Sequence, residues 1–178
     1  MRKKLLTAMS VVLLTLASVA MGQGVAPVAG PEVQKLSYLA GNWKLDGEIV
    51  AGVLGPGGKF TASTEAEMMK GGFFVVAHEH YGGSSGEENA LSVTGWDAAK
   101  QQYTYYGFSE DGSTEISTGH ATADGLVWTH GASWKGVPAT VRYTVTMVSP
   151  VLYTMRSEIS VAGKDWTLFL TGTARKGR

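Results

Sequence analysis

Leu39-Ala40-Gly41-Asn42-Trp43 is the stretch on which the reading of this chain turns. Before it, Glu32 to Leu39 spaces Val33, Leu36 and Leu39 at helical intervals. After Gly41 the period changes, and strand follows strand to the end of the chain. A helix this short needs tertiary support. It is expected to lie as a lid or plug across one end of whatever the strands build.

The strand segments are rich in Val, Thr, Tyr, Phe and Trp. Glycine-rich punctuation separates them at hairpin spacing: Gly55-Pro56-Gly57-Gly58, Gly71-Gly72, Gly82-Gly83, Asp111-Gly112, Asp124-Gly125, Ser149-Pro150 and Ala162-Gly163. Strands are expected near 42–52, 59–69, 73–81, 89–97, 102–109, 113–122, 126–132, 138–148, 152–161 and 165–175. Hairpins in sequence, without long crossovers, give an up-and-down antiparallel order. Ten such strands either close on themselves or leave adhesive edges. The expected fold class is therefore all-β, an up-and-down antiparallel β-barrel of about ten strands with a short N-terminal helix.

The first residues have a different purpose. Arg2, Lys3 and Lys4 form a basic start, Leu5 to Val19 is mainly apolar, and Ser18-Val19-Ala20 offers small residues where a signal peptidase reads. The expected division is a signal peptide over 1–20, a Pro/Gly/Ala linker over 21–31 and one barrel domain over 32–178. Cleavage after Gly22 is a second choice, and an uncleaved anchor is the alternative, although the apolar run is short for a span of about 20 residues. The expected location is periplasmic or secreted. The chain has no cysteine, which excludes a disulfide framework and thiolate metal or redox chemistry. Beyond the leader, 12 basic residues stand against 15 acidic ones, a net charge of −3. No basic patch points to nucleic acid, and no second apolar run is long enough to form a stable membrane span.

Alternation assigns faces. Phe60, Ala62, Thr64, Ala66 and Met68 are expected inward, as are Val141, Tyr143, Val145 and Met147, and in the last strand Trp166, Leu168, Leu170, Gly172 and Ala174. His78-Glu79-His80 puts two imidazoles on one face, a metal-like arrangement. A two-residue turn at Gly71-Gly72, however, sets Met68 against Val75, Glu65 against His78 and Ser63 against His80. Both histidines then lie on the wet side as cross-strand partners, and no metal site is assigned. The same register turns Glu79 inward opposite Thr64, whereas a three-residue turn would send it out. A carboxyl inside a barrel is costly unless bonded, which makes Glu79 a ligand-contact or proton-transfer candidate.

Asp124-Gly125 reads as a type I′ hairpin signal, and Leu126, Trp128 and His130 share the face after it. His130 is then a mouth residue whose ordinary titration range makes it a candidate, while His120 falls on the solvent side. Tyr103 to Phe108 carries aromatics on both faces, and the outward set is a candidate homodimer surface. Arg142, Arg156 and Glu158 read as an outer ion-pair ladder of small energetic weight; the opposite register would make an inward arginine clamp. No nucleophile elbow, His-Glu-x-x-His helix, P-loop or dinucleotide fingerprint is present.

These residues resemble a known group. The short helix, Leu39-Ala40-Gly41-Asn42-Trp43 and Gly47 are similar to the opening of lipocalin-like (calycin) barrels. Gly95-Trp96-Asp97 before Gln102-Tyr103-Thr104-Tyr105-Tyr106-Gly107-Phe108-Ser109, then Trp128-Thr129, then Ser149-Pro150 before Tyr153, resembles the bacterial secreted family named domain of unknown function 1579. The resemblance implies a calycin-type barrel with no agreed activity. It also implies that Trp43 closes the barrel against Arg175 or Lys176 by a cation–π contact. The chain departs from the pattern at Ala162-Gly163-Lys164-Asp165-Trp166, where the family leads into tryptophan with Asp-Gly-Gly. Some related barrels hold haem through a late histidine; none follows His130 here, so no cofactor is expected.

Together these readings point to binding of a small, mostly apolar molecule within the barrel. The candidate contacts are Met68, Glu79, Trp128, His130, Tyr143, Met155 and Trp166. The alternatives are an enzyme, such as an isomerase or hydrolase, using Glu79 or His130 in the same cavity, or an interaction protein with a filled barrel. No catalytic residue is assigned.

Overall fold

Each expected strand forms, and neighbours in sequence are neighbours in space. The computed structural model describes residues 28–52, 55–83 and 86–177. The expected leader lies outside the described residues, as does the linker up to residue 27. Pro31, read as linker, instead opens helix α1 (Pro31–Lys35), which continues as a 3₁₀ turn over Leu36–Leu39. Proline suits this first position because its missing N–H has no helical partner to lose. The strands are β1 (Gly41–Ile49), β2 (Gly58–Met68), β3 (Phe74–Gly83), β4 (Gly86–Asp97), β5 (Gln102–Ser109), β6 (Thr114–Ala121), β7 (Gly125–Trp134), β8 (Val137–Ser149), β9 (Leu152–Val161) and β10 (Thr167–Lys176). All pair antiparallel, and β1 pairs both β2 and β10, closing the barrel. No helix among the described residues is long and apolar enough to cross a membrane.

The helix plugs one end. Leu36 is fully buried and packs with Val75, Tyr103, Leu126 and Trp128. The Tyr103 hydroxyl donates to Glu32 Oε2 at 2.8 Å, and the Tyr38 hydroxyl donates to the carbonyls of Ser149 and Leu152 at 2.7 and 2.8 Å. Trp43 Nε1 donates to the Leu39 carbonyl at 2.9 Å. Lys176 Nζ lies 4.7 Å from the centre of the Trp43 ring. The cation closing the barrel is thus Lys176, not Arg175. Arg175 pairs with Lys44 in the ladder and shares its outward face, with Nη1 4.0 Å from Asp46. The strand alternates, so of two consecutive residues only one can reach the tryptophan.

Between β2 and β3, Met68 pairs Val75, Glu65 pairs His78 and Thr64 pairs Glu79, the expected register. The turn is not the two-residue one expected at Gly71-Gly72: Met69 N–H donates to the Phe74 carbonyl and Gly72 N–H to the Met69 carbonyl, which leaves a four-residue loop over 70–73. His78 and His80 face outward, and His80 Nδ1 lies 3.0 Å from Asn89 Oδ1. The Asp124-Gly125 reading needs correction. Neither residue has a positive φ, so the turn is not type I′; its tip is Ala123-Asp124, closed by Thr122 N–H donating to the Gly125 carbonyl. The paired positive φ values of a type I′ turn fall instead at Lys135-Gly136 (φ 50° and 80°) and at Ala162-Gly163 (φ 54° and 70°).

Trp166 and Leu168 are the second correction. In β10, Leu168 pairs Glu158 and Leu170 pairs Ser157, leaving Phe169 as an extra residue. A bulge of one residue inverts every face before it. Leu170 therefore faces in as expected, but Leu168 shares the outer face with Glu158. The Trp166 ring stacks outside on Arg142, 4.2 Å from its guanidinium carbon. Arg142 and Arg156 hold Glu158 from either side at 2.8 and 2.7 Å, the outer ladder expected from their phase. Tyr106 and Phe108 also point outward, beside Leu91 and Ile116.

Candidate functional site

The barrel is hollow because its inward positions are unequal in size. β2 and β3 present Ala62, Thr64, Ala66 and Ala77, and the facing wall presents Trp128, Tyr143 and Met155. Large side chains do not fill the space opposite the small ones, and a cavity of about 380 Å³ remains. Ligand pockets range over roughly 300–1,000 Å³. Of the residues expected to contact a ligand, Glu79, Trp128, His130, Tyr143 and Met155 line this cavity. Met68 does not. It is inward in phase, but as the last residue of β2 it lies below the cavity floor, against the cluster around Leu36 and Tyr103. Trp166 is outside, for the reason given above.

Polar groups gather on one part of the wall. Glu79 accepts hydrogen bonds from the Tyr81 hydroxyl and, at 2.7 Å, from Ser92 Oγ. Burial raises the pKa of its carboxyl; the Tyr81 and Ser92 bonds oppose this, the Glu115 charge adds to it, and the net direction is upward. Burial, with the nearby Glu79 charge, also pushes up the phenols of Tyr81 and Tyr105, so both remain neutral. The Tyr143 hydroxyl donates to Met155 Sδ at 3.3 Å.

Beside this group, His130 Nδ1 lies 3.1 Å from both Glu115 Oε1 and Ser117 Oγ, and Ser117 Oγ donates to Glu115 Oε1 at 2.5 Å. Burial alone would raise the pKa of Glu115, but the bonds from His130 and Ser117 and the imidazole charge outweigh it and hold the carboxyl below its ordinary value. Serine and carboxylate meet the same ring nitrogen. A relay that activates a hydroxyl needs them on opposite nitrogens, so this cluster orients the imidazole and leaves Nε2 without a hydrogen bond among the described residues. Sequence reasoning singled out His130 but neither Glu115 nor Ser117. Their shared phase with Gly119, which pairs Trp128, was the available signal. Among the described residues, no three His, Asp or Glu converge as metal ligands.

The wall has a seam here. β6 and β7 pair only from Thr118–Thr129 to Ala121–Leu126. Toward the end opposite the helix the two strands part. A second hollow of about 430 Å³ lies in the gap, bordered by Glu115 and Ile116 on one side and by His130, Gly131 and Ala132 on the other. Tyr81, Tyr105, Glu115 and His130 border both spaces. The Glu115–His130 contact thus bridges two strands where their backbone ladder has ended.

A closed ten-strand barrel, plugged by a short helix and sealed by tryptophan and lysine, is the arrangement implied by the resemblance noted above. The model of the family described as "Protein of unknown function (DUF1579)" matches residues 29–176. The chain belongs to this family. No curated protein matches it. Among solved structures, this DUF1579 barrel is similar to Rv2717c from M. tuberculosis, with 13% identity, a TM-score of 0.61 and coverage of 84% of this chain and 99% of that one. It is also similar to the S-type phycobiliprotein lyase CPES from Guillardia theta, with 8% identity, a TM-score of 0.55 and coverage of 82% and 92%. At these identities the likeness is one of fold.

The buried carboxyl gives the DUF1579 barrel a pH signature. Glu79 has a folded pKa above its ordinary 4.5, so between those values the folded state binds the extra proton. Its contribution to stability is complete below pH 4.5 and is lost as pH rises through the folded value. Glu79→Gln cannot ionise. Wild type is expected to lose stability relative to this variant by about 1.4 kcal/mol per pH unit across that window. Denaturant unfolding between pH 4 and pH 8 checks this; two curves that stay parallel would refute it.

Proposed function

We propose that this protein binds a small, mostly apolar molecule inside its barrel. The observation that carries the reading is the 380 Å³ cavity, walled by aromatic and aliphatic side chains with a few polar groups gathered on one part of it. Trp128, Tyr143 and Met155 supply contact area, and Glu79 and His130 orient the occupant. The β6–β7 seam is the route of access, since the second hollow adjoins the cavity there. The basic, apolar, small-residue order of the first 20 residues supports export, with the barrel working in the periplasm or outside the cell.

The neutral fluorophore 1-aminoanthracene tests this. Saturable uptake of one molecule per chain is expected, with quenching of tryptophan emission, because Trp43 and Trp128 both line the cavity. Ala77 faces the hollow and is 7% exposed; Ala77→Trp fills that space and is expected to weaken uptake at least tenfold, roughly 1.4 kcal/mol, in a protein that still folds. No saturable uptake, or equal uptake by the folded variant, would contradict the reading.

A further inference from the structure

Resting on the proposed binding function, the charges inside the barrel narrow the class of ligand. Two carboxyls, Glu79 and Glu115, border the cavity, and no lysine or arginine does so among the described residues. Lys176, which seals the closed end over Trp43, is not among the lining residues. Glu115 has His130 as its partner. Glu79 has only hydroxyl donors, from Tyr81 and Ser92. The rings of Tyr81, Tyr105, Tyr143 and Trp128 surround the same space, and electron-rich ring faces attract a cation, most strongly where water is excluded.

We infer that the cavity takes an organic cation: an amphiphile whose ammonium head sits at Glu79 among the tyrosine rings while its apolar tail lies against Trp128 and Met155. A carboxylate head finds no lysine or arginine there, and the one imidazole, His130, already has Glu115 as its partner; the head would meet two acidic side chains, an arrangement that is costly in a low-dielectric site. A neutral head would gain hydrogen bonds but no charge pairing. Burial without a cation keeps the Glu79 proton on to higher pH; an arriving ammonium supplies the missing partner and lets the carboxyl ionise.

Three probes with one tail separate these cases: octylammonium, octanol and octanoate, each competing with 1-aminoanthracene on the leaderless chain at neutral pH and fixed salt. Octylammonium is expected to displace the fluorophore at a concentration at least tenfold lower than octanol, with octanoate weakest. Glu79→Gln is expected to shrink the ammonium-to-alcohol ratio to less than threefold. Equal potency of the three, or a lead for octanoate, overturns the cation inference while saturable fluorophore uptake leaves the binding function standing. Absence of fluorophore uptake overturns both. The wild-type comparison stands by itself if the variant does not fold.

Discussion

Trp43→Ala is expected to lower stability by about 3–5 kcal/mol, which for a domain of this size lowers Tm by on the order of 10 °C. The side chain is 3% exposed, and its ring centre lies 5.5 Å from that of Tyr38 and 4.8 Å from that of Tyr153. Its removal leaves a cavity, an unpaired Leu39 carbonyl and a Lys176 ammonium without its ring. The damage concentrates where β1, β10 and the helical plug meet. Trp43→Phe keeps most of the packing and loses the indole bond, worth about 1 kcal/mol, so a smaller loss is expected. Thermal unfolding of the three proteins checks this; an alanine variant within 1 °C of wild type would show that the seal does not hold the end closed.

Gly125→Ala is expected to cost about 3 kcal/mol or more, a large penalty for one added methyl group. A Cβ at this position would overlap deeply with the Val145 carbonyl oxygen and lie only 2.9 Å from its carbon. The obstacle is backbone, so no rotamer change relieves it, and β7 must separate from β8. Gly136→Ala is the informative comparison. That residue sits at φ 80° in open space, so its penalty is the smaller one of a strained turn, about 1 kcal/mol. Denaturant midpoints of the two variants separate close approach from dihedral strain, and equal losses would mean that Gly125 is not needed for close approach.

That glycine also shows where sequence reading stops. Asp-Gly between two strands marks a hairpin, and the hairpin is there. The dipeptide does not say whether the glycine serves a positive φ or a close contact, because the contact is with a strand the turn does not join. The β2–β3 register was legible although its turn was not: a four-residue loop over 70–73 gives the same pairings, with Glu79 inside, as a two-residue turn at Gly71-Gly72. Trp166 was not legible. Its face depends on one extra residue at Phe169, and a bulge leaves no mark in an alternating stretch that reads as regular either way. Met68 was right in phase but wrong in depth, since alternation fixes the face and not the height along the barrel axis. Arg175 and Lys176 differ by one residue, and only the ladder to β1 decides between them. Glu115 and Ser117 escaped notice because their partner, His130, lies beyond the last paired residues of β6 and β7.

Native mass spectrometry of the protein purified from its own host, recorded before and after addition of 1-aminoanthracene, most directly asks whether this barrel is a container. One small molecule bound per chain, and lost on unfolding, is the result expected. The mass of the bare chain in both spectra would contradict it.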